Sequence, residues 1–406
     1  MEFAKEGHIE EVPLEESYGR FLGDDLVAKH HVPPFDRSPY DGFAVRSIDT
    51  KDASKNNLIE LEVVGKIGAG SLFEGIVGEN EAVRIMTGAK IPDGCDAVVM
   101  LEAVEESSHQ EKNYIKLKKE LQAGENISFT GEDTKKGTVL VEKGTYINPG
   151  VVALLATFGY KDVPVSVKPK VGIIATGSEL LEPDEPLEDG KIRNSNAYMV
   201  RAQVERAGGE PIYFGQFSDD LDGCFHQVQH ALTKVDLLIT TGGVSVGDYD
   251  YLPEIYEKLE ANVLFNKIGM RPGSVTTVAE KNGKLLFGLS GNPSACYVGF
   301  ELFTRPIIRA FLHATNRFQK MEKATLGTDF PKANPFDRFV RGSLSYEEGK
   351  LVVYPVGLDK SNVVSSLAFA NVLIVLPSGT KGHQRGMEVS VLLLEDQDGM
   401  EAYFTS

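Results

Sequence analysis

The sequence predicts a multidomain α/β plus β protein, in which a central, doubly wound, mostly parallel sheet domain follows a β-rich domain and precedes a small all-β domain. Three observations carry this. Residues 171–315 alternate short apolar runs with amphipathic ones, the rhythm of strands and helices in a sheet covered on both faces. Residues 58–121, and again the chain from about 320 onward, hold short β-patterned runs between Gly and Pro turns. Finally, three strand-like runs of the central part end in polar loops, where open α/β sheets bind ligands.

At 406 residues the chain is too long for one ordinary core, and two to four domains of roughly 100 to 150 residues each are expected. A hydrophobic content of 42% with 25% charged residues suits a globular protein. No apolar run approaches the roughly 20 residues that span a bilayer, and no signal-peptide pattern opens the chain, so a cytoplasmic protein without membrane partners is expected. The three cysteines, Cys95, Cys224 and Cys296, have neither disulfide-scaffold nor zinc-site spacing. With 42 basic and 59 acidic residues, the formal charge of −17 repels nucleic acid over most of the surface. An anionic ligand would therefore need local positive charge gathered against the protein's own field.

Taken in order, Leu14 to Leu22 fits a helix of two or three turns. Val32 to Arg46 has three prolines in its first half and reads as a fixed extended loop containing Asp36 and Asp41. Strands are expected at Leu58–Val64, Glu81–Met86, Ala97–Leu101 and Tyr114–Leu117. Met86-Thr87-Gly88 places a hydroxyl at a strand end, where its ordinary role is to satisfy turn backbone. Gly131–Thr134 reads as a hairpin-like return, Asn148–Phe158 as a capped helix ending at Gly159, and Tyr160–Lys170 as a linker.

The second half then reads as strand Val171–Ala175, helix Asn196–Arg206 with Gly208 as its C-terminal stop, strand Pro211–Phe217 and helix Leu221–Leu232. An extended segment Asn262–Ile268, a hairpin through Lys281-Asn-Gly-Lys284, strand Leu285–Leu289 and helix Ala295–Leu312 follow. Short strands at Phe339–Leu344, Leu351–Pro355, Val372–Leu376 and Glu388–Leu394 close the chain.

The run from Val235 to Asp250 organises the chemistry. Leu237–Ile239 suits a strand buried on both faces, and Tyr251–Leu259 a helix. Between them Gly242, Gly243 and Gly247 let backbone N–H groups approach phosphate, a nucleotide or a tetrahedral oxyanion. Asp248 and Asp250 beside such a loop suit a divalent cation bridging to the anion. The loop matches neither the P-loop nor the dinucleotide fingerprint. Glu179, Gly242–Asp250 and Asn292-Pro293 would all lie along one sheet edge.

In combination these residues resemble the molybdopterin molybdenumtransferase family (MoeA and the E domain of gephyrin). The resemblance is carried by Pro33-Pro-Phe-Asp-Arg-Ser-Pro-Tyr-Asp-Gly-Phe-Ala-Val45, Arg84-Ile-Met-Thr-Gly-Ala89, Gly131-Glu-Asp133, Thr176-Gly-Ser-Glu-Leu180, Gly190-Lys-Ile-Arg-Asn-Ser-Asn196, Thr241-Gly-Gly-Val-Ser-Val-Gly247 and Gly291-Asn-Pro293. It implies four domains: an elongated domain I from residues 1–31 and 135–170, a β-rich domain II at 32–134, a MogA-like domain III at 171–318 and a β-barrel-like domain IV at 319–406.

The resemblance also implies a homodimer that inserts molybdenum from molybdate into adenylylated molybdopterin and releases AMP with the help of Mg2+. Carried over by position, Glu179 and Asp250 would hold the metal, and Lys267 and Arg271 would supply positive charge. Asp41, Thr87 and Asp133 would come from the dimer partner. Substrate would be bound by Gly177, Asn194, Ser195, Gly242, Gly243, Val244, Ser245, Gly247, Ser290, Gly291, Asn292 and Pro293.

Three positions depart from the family's habit: Arg271 for Lys, Ser290 for Pro, and Ser128–Thr130 for basic residues. Arg keeps the charge and adds a fork for oxyanions. These changes leave room for a tungstate-using or less active paralogue. The other readings are a molybdopterin adenylyltransferase-like enzyme, a protein of the same pathway and a possible partner, and a non-catalytic scaffold. The adenylyltransferase reading would explain residues 171–315 but not the flanking domains.

Overall fold

The computed structural model describes residue 3 and residues 5–216, 221–243 and 252–394. The chain divides into two compact units: a larger one of Met1–Asp24, Lys143–Val152 and Asp162–Ser406, and a smaller one of Asp25–Glu142 and Ala153–Lys161.

The larger unit contains the central sheet. We label its strands β1 (Lys170–Ala175), β2 (Glu210–Gln216), β3 (Leu237–Thr241), β4 (Asn262–Phe265), β5 (Thr277–Lys281) and β6 (Lys284–Leu289). Its helices are α1 (Ser195–Ala207), α2 (Leu221–Leu232), α3 (Leu252–Lys258), α4 (Pro293–Gly299) and α5 (Arg305–Phe311). The strand order is β2-β1-β3-β6-β5-β4. The first four run parallel; β5 runs antiparallel to β6, and β4 pairs antiparallel with β5 and so points the same way as the first four.

Period-two alternation sends Val171, Ile173 and Ala175 of β1 to one face, where they pack with Val200, Val204 and Ile308. Ile174 goes to the other face, with Cys224, Val228 and Ile255. Each Val or Ile among them, fully buried, contributes about 1.5–3 kcal/mol relative to exposure, which is why the sheet is covered on both sides. Among the described residues no helix is long and apolar enough to cross a membrane.

The end of the larger unit is a closed five-stranded barrel. Met321–Leu326, Asp337–Glu347, Lys350–Pro355, Val372–Leu376 and Glu388–Leu393 pair in a ring, closed by Asp337–Glu347 against Val372–Leu376. Leu326, Val340, Val353, Ile374 and Val391 fill it. Closure leaves no open edge.

The smaller unit holds a six-stranded sheet in the order Ala97–Met100, Gly42–Val45, Glu81–Ile85, Ile59–Ile67, Lys112–Leu117, Val104–His109. Apolar residues cover both of its faces.

Several local expectations need correction. Leu14–Leu22 is a helix only at Leu14–Glu16, a 3-10 turn. Gly19 turns at φ 78°, after which Phe21 and Leu22 run extended and are bridged to Tyr146 and Val165. The Val32–Arg46 loop ends earlier than expected, because Gly42–Val45 is a central strand buried at every position. Beyond the last proline, Phe43, Ala44 and Val45 are free to pair on both sides.

Gly131–Thr134 does not return on itself. Thr134 bridges to Val32, and Val139–Val141 pairs with Leu26–Val27. The Tyr160–Lys170 linker contains the strand Asp162–Ser166, antiparallel to Ile9–Pro13, and Pro164 is tolerated because the sheet has only two strands. The long helix Ala295–Leu312 is interrupted by a π-turn at Phe300–Thr304. Pro306, lacking an N–H, cannot continue the regular ladder there.

Candidate functional site

Strands β1, β3 and β6 end in register, with Ala175 opposite Thr241 and Thr241 opposite Leu289. Three loops therefore emerge side by side: Thr176–Glu179, the turn at Gly242 and Gly243, and Ser290–Pro293. Backbone bonds tie them to one another. Thr176 donates through its N–H and its Oγ1 to Thr241 O, each at 3.0 Å, and Gly242 N–H donates to Leu289 O at 2.8 Å.

The glycines are required here. Gly242 sits at φ 90°, and a Cβ on it would stand 2.6 Å from Thr176 Oγ1 and 2.8 Å from Thr176 O. Gly177 sits at φ 129°, and a Cβ there would meet Glu179 Oε1 at 2.7 Å. Any side chain would break one loop or displace the other.

Glu179 is exposed, with its carboxylate lying against Gly177. Its carbonyl accepts Ile192 N–H at 2.8 Å. Among the described residues its carboxylate accepts no hydrogen bond.

In the third loop, Ser290 is buried and its Oγ accepts Asn292 N–H at 3.2 Å. Gly291 and Asn292 are exposed, and Pro293 begins α4. Gly291 faces the Gly242 turn, since a Cβ on it would come within 3.5 Å of the Gly242 Cα.

Comparison with known proteins places the chain in a family. Three family models match: the MoeA N-terminal region (domain I and II) over residues 2–159, the probable molybdopterin binding domain over 172–310, and the MoeA C-terminal region (domain IV) over 323–394. A molybdopterin molybdenumtransferase of Bacillus subtilis (strain 168) is 59% identical over 399 residues, covering 98% of this chain and 93% of that protein. The chain belongs to the molybdopterin molybdenumtransferase family. Another relative so named, from Staphylococcus aureus (strain N315), is 51% identical over 96% of this chain and 92% of its own. Among solved structures, the molybdopterin biosynthesis moeA protein from Pyrococcus horikoshii OT3 has a TM-score of 0.82 at 34% identity, covering 97% of this chain and 96% of that one.

Of the residues that resemblance to the molybdopterin molybdenumtransferase family singled out, the larger unit brings Gly177, Glu179, Gly242, Gly243, Ser290, Gly291, Asn292 and Pro293 to the one sheet edge. Val244, Ser245, Gly247, Asp248 and Asp250 lie outside the described residues. Asn194, 2% exposed, is committed within the protein: its Oδ1 accepts Ala197 N–H at 3.2 Å as the cap of α1, and its Nδ2 donates to the Tyr213 hydroxyl at 2.8 Å. Ser195, the first residue of α1, is exposed.

Lys267 and Arg271 are both exposed in the stretch after β4. The Arg271 guanidinium stands 5.7 Å over the Phe336 ring, and neither cation is paired with a carboxylate among the described residues.

The smaller unit holds Asp41, Thr87 and Asp133, all exposed. Asp41 Oδ1 accepts Thr87 N–H at 2.7 Å and Thr87 Oγ1 at 2.9 Å. Those two bonds, with a smaller contribution from Arg84, hold the Asp41 carboxyl below its ordinary value. Asp133 is separate in its bonding, its N–H donating to Val32 O at 3.1 Å. A parallel lock links Asp36 Oδ1 to Thr130 N–H at 2.7 Å and Oγ1 at 2.8 Å.

Among the described residues no cluster of three or more His, Cys, Asp or Glu could hold a metal. A carboxylate that, like that of Glu179, has no partner among the described residues still fits Mg2+, which is bound through one or two carboxylates plus substrate phosphates rather than by an all-protein cage.

Two residues that sequence reasoning passed over also shape this edge: Glu182 and Tyr213, hydrogen-bonded to each other, with Tyr213 bonded in turn to Asn194; the exposed Tyr198 hydroxyl donates to the other carboxylate oxygen of Glu182. Glu182 lies in an acidic, proline-bearing stretch, Leu181–Glu188, which reads as a solvated loop and gives no signal of its partners.

Proposed function

We propose that this protein inserts molybdenum from molybdate into adenylylated molybdopterin, releasing AMP, as a step of molybdenum cofactor biosynthesis. Relatives named molybdopterin molybdenumtransferase span nearly the whole chain. The structural observation that carries the reading is the meeting of three loops, two of them crowded around glycines, at the ends of β1, β3 and β6. Such an edge admits backbone close to an anion.

Each residue then has a role. Gly177, Gly242, Gly243 and Gly291 let the adenylate approach, and Val244, Ser245 and Gly247, whose motif matches the family's, are assigned to the same substrate. Lys267 and Arg271, without a carboxylate partner among the described residues of an acidic protein, attract molybdate and the pterin-side phosphate. Arg271 offers a fork that matches oxyanion geometry. Glu179 and Asp250 would hold Mg2+, which supplies a positive charge where the phosphoanhydride oxygens become more negative. The thiolate ligands of the inserted molybdenum belong to the substrate, so the three scattered, free cysteines are consistent with the reaction.

Asp41, Thr87 and Asp133 are assigned to act from the second protomer of a homodimer. The molybdopterin adenylyltransferase, which makes the adenylylated substrate, is the proposed partner, and the cytoplasm the proposed location.

The test is direct. Purified protein given adenylylated molybdopterin, Mg2+ and molybdate should release AMP only when molybdate is present, with one molybdenum retained per AMP. Substituting tungstate for molybdate establishes which oxyanion it prefers. ATP-dependent adenylylation of molybdopterin without molybdate-dependent AMP release would replace this reading with the adenylyltransferase one.

A further inference from the structure

We propose that Glu182 and Tyr213 are positioning residues for the substrate edge, holding Asn194 so that the Glu179 loop and the start of α1 keep one geometry. The inference rests on the reading of that edge as the site of the adenylylated substrate.

Glu182 Oε1 accepts the Tyr213 hydroxyl at 2.7 Å and Asn194 Nδ2 at 3.5 Å, while Oε2 accepts the Tyr198 hydroxyl at 2.7 Å. The Tyr213 hydroxyl also accepts from Asn194 Nδ2 at 2.8 Å. Tyr213 therefore sits between the other two, giving its proton to the carboxylate and taking one from the amide. No salt bridge to Glu182 occurs among the described residues, so its charge is held by neutral donors. Burial works against that charge, but the bonds from Tyr198, Tyr213 and Asn194 outweigh it and keep the carboxyl below its ordinary value. Burial and the adjacent carboxylate push the Tyr213 phenol up, so both hydroxyl and carboxylate stay in their bonding forms across the neutral range.

Asn194 passes this fixity to the site in two directions. Its N–H donates to Leu181 O at 2.8 Å, completing a short parallel ladder of Leu180–Leu181 with Ile192–Arg193 that also binds the Glu179 carbonyl to Ile192 N–H. Its Oδ1 caps α1. Two residues into α1, Asn196 Nδ2 donates to Gly291 O at 2.8 Å, which ties the helix to the third loop. Loosening Asn194 would thus free the first loop and the third together. Tyr198 differs: it is exposed, and its hydroxyl reaches Glu182 without touching Asn194.

The experiment compares Tyr213→Phe with Tyr198→Phe in the full-length protein. AMP affinity in Mg2+ is read by calorimetry, KM and kcat by molybdate-dependent AMP release, and folding by the melting temperature. Tyr213→Phe should raise both the AMP Kd and KM roughly three- to tenfold, the size expected for losing a bonded hydroxyl in a network. Its kcat should stay within about twofold and its melting temperature within a few degrees of wild type, and Tyr198→Phe should be nearly silent in all four. A Tyr213→Phe protein with wild-type AMP affinity and KM overturns the positioning role while leaving the proposed function intact. So does a Tyr198→Phe loss as large as that of Tyr213→Phe. If wild-type protein neither binds AMP nor releases it, the reading of the edge falls, and this inference with it.

Discussion

Asp41 and Glu179 are both exposed carboxylates in loops beside a sheet, one in each compact unit, yet their surroundings differ. Asp41 has one oxygen doubly bonded by Thr87 and a carboxyl held below the usual range. Glu179 lies against a glycine with no hydrogen bond to its carboxylate among the described residues. The contrast separates two uses of the same side chain. A carboxylate whose acceptors are filled by the fold is fixed in place and presents one remaining face. A carboxylate left open is ready to take a cation brought by a phosphate-bearing substrate.

Experiments that break this contrast differ in expected size. The largest effect should come from Gly242→Val. The positive φ and the Thr176 atoms within 3 Å of any added Cβ leave no room, so AMP release should fall by more than roughly a hundredfold and AMP binding with it.

Next comes a pure stability effect away from the edge. Arg341, 1% exposed in the barrel, donates to Ser366 Oγ and to Leu358 O, each at 2.7 Å. Arg341→Leu strands those acceptors and should cost about 2–4 kcal/mol in chemical denaturation. Thr87→Val removes one of the two bonds to Asp41 but leaves the backbone N–H, and should weaken turnover only roughly two- to tenfold.

The smallest effect is a pH signature. Because the folded state lowers the Asp41 pKa from 3.8, its stabilising contribution is present above that value and is lost as pH falls through the folded pKa. The melting-temperature gap between wild type and Asp41→Asn should therefore be visible at pH 7 and shrink on acidification below about pH 4. A gap that persists unchanged in acid would mean that the Thr87 bonds do not depend on the charge.

How much of this was legible in the sequence follows from the range of the interactions. Val171–Ala175 and Leu237–Ile239 announce buried parallel strands because each position repeats the same apolar signal, and Gly208 marks a helix end through its own backbone freedom. The edge where Gly177, Gly242 and Gly291 meet follows from those strands once they are parallel. Other features depended on distant partners. Gly42–Val45 was hidden behind prolines and becomes a strand only because two other segments flank it. Asp162–Ser166 needed Ile9–Pro13, more than a hundred residues away, to become a strand. Val104–His109, polar at five of its six positions, carried little periodic signal. Asn194 looked like a ligand-binding residue in its motif, and its commitment to the α1 cap and Tyr213 could be seen only in three dimensions.

The central claim is that the open carboxylate of Glu179 serves the adenylylated substrate at the β1–β3–β6 edge. The measurement that bears on it most directly is molybdate-dependent AMP release by Glu179→Gln against wild type across a Mg2+ titration. The account predicts a loss of roughly a hundredfold or more at low Mg2+, with folding unchanged and the half-saturating Mg2+ concentration displaced upward. Wild-type turnover and an unchanged Mg2+ dependence in Glu179→Gln would contradict it.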